Sequence, residues 1–312
     1  MKNLVAVLMG GSSGEREISF LTGRACSIAL KKKGYRVKEI DGKGDFVNKL
    51  KKIRPKVVFN ALHGKFGEDG YVQTILDVLK IPYTHSGAVA SNLAMDKALS
   101  RIIFNKNNLK TPKYFLISKD NKSSVNRKIK KKKIKFPIVI KPVNEGSSLG
   151  VHICKNKFEF KKNYKKLIKE YDRILVEEYI PGKEIQVAVM GNKPLGAIEL
   201  VPKRKFYDYK AKYSNKAGTK HIMPAPISYR KYKEVLLLGK KAHDILGCRG
   251  ITRSDFRFYN NKFYLLETNT QPGMTKLSLV PEIASYKGIS FEDLVVWIVK
   301  NANYNKWIKL IK

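Results

Sequence analysis

Leu4-Val5-Ala6-Val7-Leu8-Met9-Gly10-Gly11-Ser12-Ser13-Gly14 runs straight from six apolar residues into a loop of glycines and serines. From Arg16 to Lys32, Ile18, Leu21, Ala25 and Ala29 then recur at helical spacing. That order predicts a strand, a tight loop and a helix. Apolar runs at Val37 to Ile40 and Val57 to Asn60, with a helical stretch between them, predict two further strands. Residues up to about 95 thus read as an α/β unit with a doubly wound parallel sheet, whose functional loops belong at the strand C-termini.

Working outward, the pattern is helical from Met95 to about Tyr114. Pro137 to Lys141 reads as a strand leading into Glu145-Gly146-Ser147-Ser148-Leu149-Gly150. A Lys-rich amphipathic helix from Phe158 to Glu170 and a strand from Ile174 to Glu178 complete a small α+β module. Beyond Pro181 come strands Glu184 to Met190 and Leu195 to Leu200, then a tyrosine-rich polar loop. A helix over Tyr229 to Leu246 and a hairpin from Ile251 to Asn269 follow. There are no internal repeats.

A chain of 312 residues, 43% of them apolar, can fill two or three domains with cores. Cys26, Cys154 and Cys248 are odd in number and far apart, so they read as apolar fillers rather than a disulfide or metal framework. The apolar run at the N-terminus is too short for a signal-peptide core or a membrane span, which predicts a cytoplasmic protein without a membrane partner. The formal charge of +37 would suit a polyanion, but lysine is spread along the whole chain. The densest run, Arg127 to Lys133, lacks interleaved aromatics for base stacking and reads as a solvated loop or helix end. Nucleic acid is therefore not an expected partner.

Asp255, Glu267 and Asn269 stand on the two arms of the last hairpin and are suitable donors for a hard cation. A two-residue turn, Asn260-Asn261, would set Asp255 opposite Leu266. A three-residue turn ending at Lys262, or an equivalent bulge, sets Asp255 opposite Glu267, because paired residues share a face. With the three-residue turn, Phe256, Phe258, Tyr264 and Leu266 fall on the core side. An exposed polar strand face would carry the same residues.

In Glu145 to Gly150, glycines permit close backbone approach, and N–H groups and hydroxyls can face phosphate oxygens. A plain loop of small residues fits equally well, and no Gly-Lys-Ser/Thr P-loop is present. Lys97, Lys141 and Lys212 are candidate phosphate partners in a chain where most lysines are surface charge. Glu177-Glu178-Tyr179-Ile180 closes a strand at a domain junction, where backbone could meet an adenine edge and Glu184 could accept from ribose hydroxyls. An interdomain linker would look the same.

Eight motifs in order resemble the D-alanine–D-alanine ligases of the ATP-grasp superfamily, from about Leu4 to about Val299. They are Gly10 to Ser19, Ala61 to Gly64 with Gly67 to Gly70, Ser91 to Lys97, and Lys141-Pro142 with Glu145 to Gly150. Phe206 to Tyr213, Gly250 to Asp255, Glu267 to Thr275 and Ser278 to Pro281 complete the set. The resemblance implies a Rossmann-like domain over residues 1–95 and an ATP-grasp pair of domains over 96–180 and 181–312. It also implies ATP, two Mg²⁺ or Mn²⁺ ions per site and a homodimer.

It further implies roles for named residues. Glu15 would pair with the ammonium of a first D-alanine, and Ser147 and Tyr213 would bond to Glu15 and hold loops shut over the intermediate. Arg253 and the Gly273 N–H would form an oxyanion site. Ser278 and the Leu279 N–H would receive the second D-alanine's carboxylate, with Pro281 suiting a loop, and His63 would lie near that amine or serve as a structural histidine. Lys97, Lys141 and Lys212 match phosphate contacts, and Glu177, Tyr179, Ile180 and Glu184 match adenosine contacts. Asp255, Glu267 and Asn269 match metal ligands. D-lactate- or D-serine-accepting relatives are the nearest rival, against which Tyr213 argues. A basic nucleic-acid-binding protein is the rival from another class.

Overall fold

The computed structural model describes residues 3–119, 125–202, 218–275 and 277–305. β1 (Leu4–Met9), α1 (Arg16–Lys32), β2 (Arg36–Asp41), α2 (Phe46–Ile53) and β3 (Val57–Asn60) build a parallel sheet in the order β2-β1-β3. β1 is apolar at every position because both of its faces are covered. Val5, Val7 and Met9 pack against Cys26, Ala29 and Leu30 of α1. Ala6 and Leu8 turn the other way, towards Leu50 of α2 and Val72 and Leu76 of α3 (Tyr71–Val78).

α4 (Ala88–Met95) and α5 (Lys97–Lys106) follow. The helical stretch expected to reach Tyr114 stops at Lys106, where Asn108 turns left-handed at φ 58° and Tyr114 opens the next strand. β4 (Tyr114–Ser118), α6 (Val125–Lys132), β5 (Ile138–Pro142), β6 (His152–Cys154), α7 (Lys157–Glu170) and β7 (Arg173–Glu178) form an antiparallel sheet ordered β4-β7-β5-β6. Ile138, Ile140, Ile174 and Val176 face Phe160 and Leu167 of α7. The strand alternation leaves Val139, Lys141, Leu175 and Glu177 on the opposite face. The basic run Arg127 to Lys133 is the largely exposed end of α6, as expected.

The third sheet is antiparallel, β10-β9-β8-β11-β12. It comprises β8 (Lys183–Met190), β9 (Lys193–Val201), β10 (Lys220–Ile222), β11 (Ile251–Tyr259) and β12 (Lys262–Asn269). α8 (Tyr229–Ile245) covers one face, with Val235 and Ala242 packed beside Ile185, Val187, Phe256 and Leu265. Ala94 of α4 and Phe104 of α5 join the same core. α9 (Leu279–Tyr286) and α10 (Phe291–Lys300) lie between this sheet and α1, so one apolar cluster links the first sheet to the third. Pro281, expected in a loop, sits in the first turn of α9, where its missing N–H costs no helical bond.

Of the two expected ways to set Asp255 opposite Glu267, the hairpin β11–β12 uses the bulge and not the longer turn. Its turn has two residues, Asn260 and Asn261, both left-handed at φ 45° and 58°. Asparagine tolerates that conformation, which suits a tight hairpin turn. Asp255 nevertheless stands opposite Glu267, because a bulge between Asp255 and Phe256 absorbs Leu266. Phe256 therefore pairs with Leu265 and Phe258 with Phe263. Phe263 and Leu265, rather than Tyr264 and Leu266, are the buried core partners. Among the described residues no helix is long and apolar enough to cross a membrane. Cys26 and Cys154 are buried, Cys248 is partly buried, and all three are free.

Candidate active site

A cavity of about 370 Å³ opens between the second and third sheets. Lys141 reaches it from β5 and Glu177 from β7. Lys141 stands opposite Leu175 and Glu177 opposite Val139, so the two are diagonal neighbours on one face, 2.7 Å apart. Burial opposes charge on both groups. It pulls the Lys141 pKa below its ordinary value although Glu177 pushes the other way. For Glu177, burial is outweighed by the Arg101 and Lys141 charges, and its pKa falls.

Lys97 enters from the first position of α5. Asp96 fixes it there by capping the helix, accepting the Ala98 and Leu99 N–H groups at 2.9 Å each, and Arg173 holds Asp96 at 2.6 Å. The Lys97 ammonium donates to the Glu145 carbonyl at 2.6 Å and lies 3.3 Å from Glu267. It thus ties the small-residue loop to the last strand.

Asp255 and Glu267 face this cavity as a cross-strand pair. Asp255 is gripped bidentately by Arg253 at 2.7 and 3.0 Å. The Asn269 amide oxygen accepts the Gln271 N–H at 2.7 Å. Among the described residues there is no cluster of three or more His, Cys, Asp or Glu side chains of the kind that cages a metal by itself. Two carboxylates and an amide oxygen close to the buried Lys97 and Lys141 are a donor set that suits magnesium, which takes few protein ligands and completes its shell with phosphate and water.

Tyr179, Ile180 and Glu184 line the same cavity at the strand exit. Arg257 spans that exit, donating to the Ile180 carbonyl at 3.0 Å and pairing with Glu184 at 3.2 Å.

A smaller cavity of about 70 Å³ adjoins the first and shares Lys97, Glu145, Gly146 and Glu267 with it. Glu15, His63, Ser147, Arg253, Asn269 and Gly273 also line it. Glu15 precedes α1, after Gly10 and Gly11 have turned the chain with φ near 78° and 75°. It is buried and accepts the Ser147 hydroxyl hydrogen. Ser147 and Ser148 are left-handed at φ 48° and 60°, strained positions for side-chain-bearing residues. Gly146 closes on Glu15 so tightly that a Cβ there would sit 2.7 Å from its carboxylate.

His63 is buried in the loop just after β3, its Nδ1 2.8 Å from Glu68 and its Nε2 3.0 Å from the Thr22 hydroxyl. Burial disfavours its charge, but the Glu68 bond and the charges of Glu68 and Glu15 prevail and raise its pKa. Ser278 and Leu279 lie beside this cavity rather than in its wall. The Ser278 hydroxyl accepts the Thr275 N–H at 2.9 Å and would be 3.0 Å from a Cβ on Gly273. Lys212 and Tyr213 lie outside the described residues.

Arg101, Glu68 and Gln271 are not among the candidate site residues named from the sequence. Arg101 falls one helical turn after Lys97, a spacing that puts both on one face and could have drawn attention to it. Glu68 and Gln271 fall inside the family-like motifs, but no helix or strand spacing names His63, Asn60 or Leu62 as their partners.

A doubly wound parallel unit, followed by two antiparallel sheets that enclose lysines and carboxylates, defines an ATP-grasp fold. The family description "D-ala D-ala ligase C-terminus" matches residues 103–300, and "D-ala D-ala ligase N-terminus" matches 42–86. The chain is 53% identical over 307 residues to a D-alanine–D-alanine ligase of Pelagibacter ubique, spanning 98% of this chain and 100% of that one. It is 45% identical to the one from Wolbachia pipientis wMel, spanning 98% and 96%. It superposes with a TM-score of 0.83 and 28% identity on the Bacillus anthracis D-alanine–D-alanine ligase complexed with ATP, covering 96% of this chain and 97% of that one. A second structure of that enzyme gives 0.86 and 31%, with the same coverage. The chain belongs to the D-alanine–D-alanine ligase family.

Proposed function

We propose that this chain joins two D-alanine molecules in the cytoplasm, with hydrolysis of ATP to ADP and phosphate, and so supplies the dipeptide of peptidoglycan precursors. The observation that carries this reading is the shared wall of the two cavities. Lys97 and Glu267 belong to both, so a phosphate held in the larger one would lie next to an amino acid held in the smaller.

In this reading Lys141 and Lys97 bind phosphate oxygens, with Lys212 as a third contact, while the strand exit at Glu177, Tyr179, Ile180 and Glu184 takes adenosine. Asp255, Glu267 and Asn269 would hold magnesium or manganese, two ions per site, which supply charge neutralisation to the phosphates. Glu15 receives the ammonium of the first D-alanine and so aims its carboxylate at the γ-phosphate. A carboxylate oxygen attacks that phosphorus, the bond to ADP breaks, and D-alanyl phosphate forms.

The amine of the second D-alanine then attacks the acyl carbon. Arg253 and the Gly273 N–H stabilise the oxyanion, and phosphate leaves with its oxygen. Ser278 and Leu279 would hold the second carboxylate, and His63, whose pKa is raised, would help the second amine shed its proton. The loop from Gly146 to Gly150, latched to Glu15 through Ser147, would keep water from the acyl phosphate, and Tyr213 would extend that latch.

The three sheets fit domains at 1–95, 96–180 and 181–312, and family likeness favours a homodimer. Phosphate release with D-alanine alone, compared with D-alanine plus D-lactate at neutral pH, tests the reading. Brisk turnover with D-alanine alone is expected. Turnover that requires D-lactate or D-serine would transfer the assignment to the rival ligases.

A further inference from the structure

Arg101 is fully buried, one turn along α5 from Lys97, and it lines neither cavity. A buried guanidinium is costly unless its surroundings use it. Its Nη2 makes two contacts, to Glu177 Oε2 at 2.5 Å and to the Leu266 carbonyl at 3.2 Å. Glu177 gives its other oxygen to Lys141, and Leu266 is the residue absorbed by the bulge that sets Glu267 opposite Asp255. The Tyr114 ring lies 5.8 Å from the guanidinium carbon.

We propose that Arg101 is a positioning residue for nucleotide binding, acting through Glu177 on Lys141 and through the Leu266 carbonyl on the Asp255–Glu267 pair. The inference rests on the ATP-dependent reading of the site.

The charge count makes the first arm specific. Lys141 and Glu177 alone are a closed, neutral pair with nothing left for a phosphate. Adding Arg101 to the other carboxylate oxygen leaves the group with one net positive charge, carried at the cavity wall by Lys141. The second arm is geometric. A bulge leaves a residue outside the regular ladder, and a donor on its carbonyl fixes where the next side chain points. That next side chain is Glu267. A single side chain thus sets both the cation that meets phosphate and the carboxylate pair across the cavity.

Arg101→Met and Arg101→Lys in the full chain test this. ATP binding is followed by calorimetry with and without magnesium, alongside KM for ATP and for D-alanine. Arg101→Met is expected to weaken ATP binding roughly tenfold or more, and to shift KM for D-alanine less than about twofold. Arg101→Lys restores the charge, but its shorter side chain leaves the ammonium short of the position from which Nη2 reaches both Glu177 and the Leu266 carbonyl. It is expected to recover most of the magnesium-free ATP affinity and less of the gain that magnesium adds. Unchanged ATP binding in Arg101→Met, or equal losses for ATP and D-alanine, would overturn the inference. If Arg101→Met does not fold, Arg101→Lys decides alone: an undiminished magnesium gain overturns the proposal and a reduced one supports it. Because binding is read directly, parent protein that binds ATP yet does not ligate D-alanine would sink the functional reading and leave this one standing.

Discussion

Glu15 is a buried carboxylate at the start of α1, covered by Gly146 and bonded to Ser147. A buried acceptor-only group of this kind suits an ammonium ion, and a neutral amide in its place would lose that ion pair. Glu15→Gln is expected to lower kcat/KM for D-alanine by about 30-fold or more, the rate equivalent of roughly 2 kcal/mol for a charge-assisted bond. Steady-state phosphate release measures it, and turnover within twofold of the parent would remove Glu15 from its role.

His63 makes a pH prediction. Its folded pKa is raised above the ordinary 6.5. The proton it gains therefore stabilises the fold fully below the unfolded pKa, and this contribution is lost as pH rises through the folded value. Glu68→Gln removes the negative charge that helps raise it and leaves only a neutral amide oxygen as acceptor. An NMR titration of His63 should move to lower pH in that variant, and the pH-dependent part of its stability above pH 6.5 should shrink.

At the scale of elements, the Gly146 to Gly150 loop and the β11–β12 hairpin carry the site. A Cβ on Gly146 would stand 2.7 Å from the Glu15 carboxylate, so Gly146→Ala must move the loop or the acid. Displacement of about 1 Å at such a place costs on the order of a hundredfold in rate, with little change in the folded structure. A crystal structure and kinetics on the same variant would read both parts.

Gly182 closes the exit of the larger cavity at φ 89°, with a Cβ placed 2.3 Å from the Phe258 carbonyl. Gly182→Ala is expected to destabilise the protein by about 2 kcal/mol or more, visible in urea unfolding, since both conformation and space forbid the methyl group.

On the scale of the whole molecule, Asn60 at the end of β3 and Gln271 after β12 tie the first sheet to the third. The Asn60 amide donates to Gln271 Oε1 at 2.9 Å, and Gln271 donates to the Leu62 carbonyl. Gln271→Ala would strip a partner from a fully buried amide, a loss of roughly 1–3 kcal/mol. A fall in Tm of several degrees is the expected readout. The formal charge of +37 acts everywhere at once. Self-repulsion at this density is screened by salt, so Tm should rise between low and moderate NaCl concentration.

Residues adjacent in the chain, or related by a strand or helix period, were legible without any structure. The apolar strand with its glycine loop announced the parallel unit, and the lysines, Glu15 and the carboxylates of the last hairpin could be named from their motifs. The hairpin shows where that legibility stops. Face-matching implied that Asp255 must meet Glu267, yet whether an extra turn residue or a bulge achieved it depended on how Phe263 and Leu265 packed against α8.

Local pattern by itself determined which elements form and which faces are apolar, because those follow from short-range sterics and the period of burial. Only the tertiary structure decided that Glu68 would hold His63, that Arg101 would reach Glu177 and the Leu266 carbonyl, and that two cavities would share Lys97 and Glu267. The Arg101 contacts join residues 76 and 165 positions apart and the His63–Glu68 contact closes a loop with no regular period, so in each case the partner is chosen by packing rather than by local spacing.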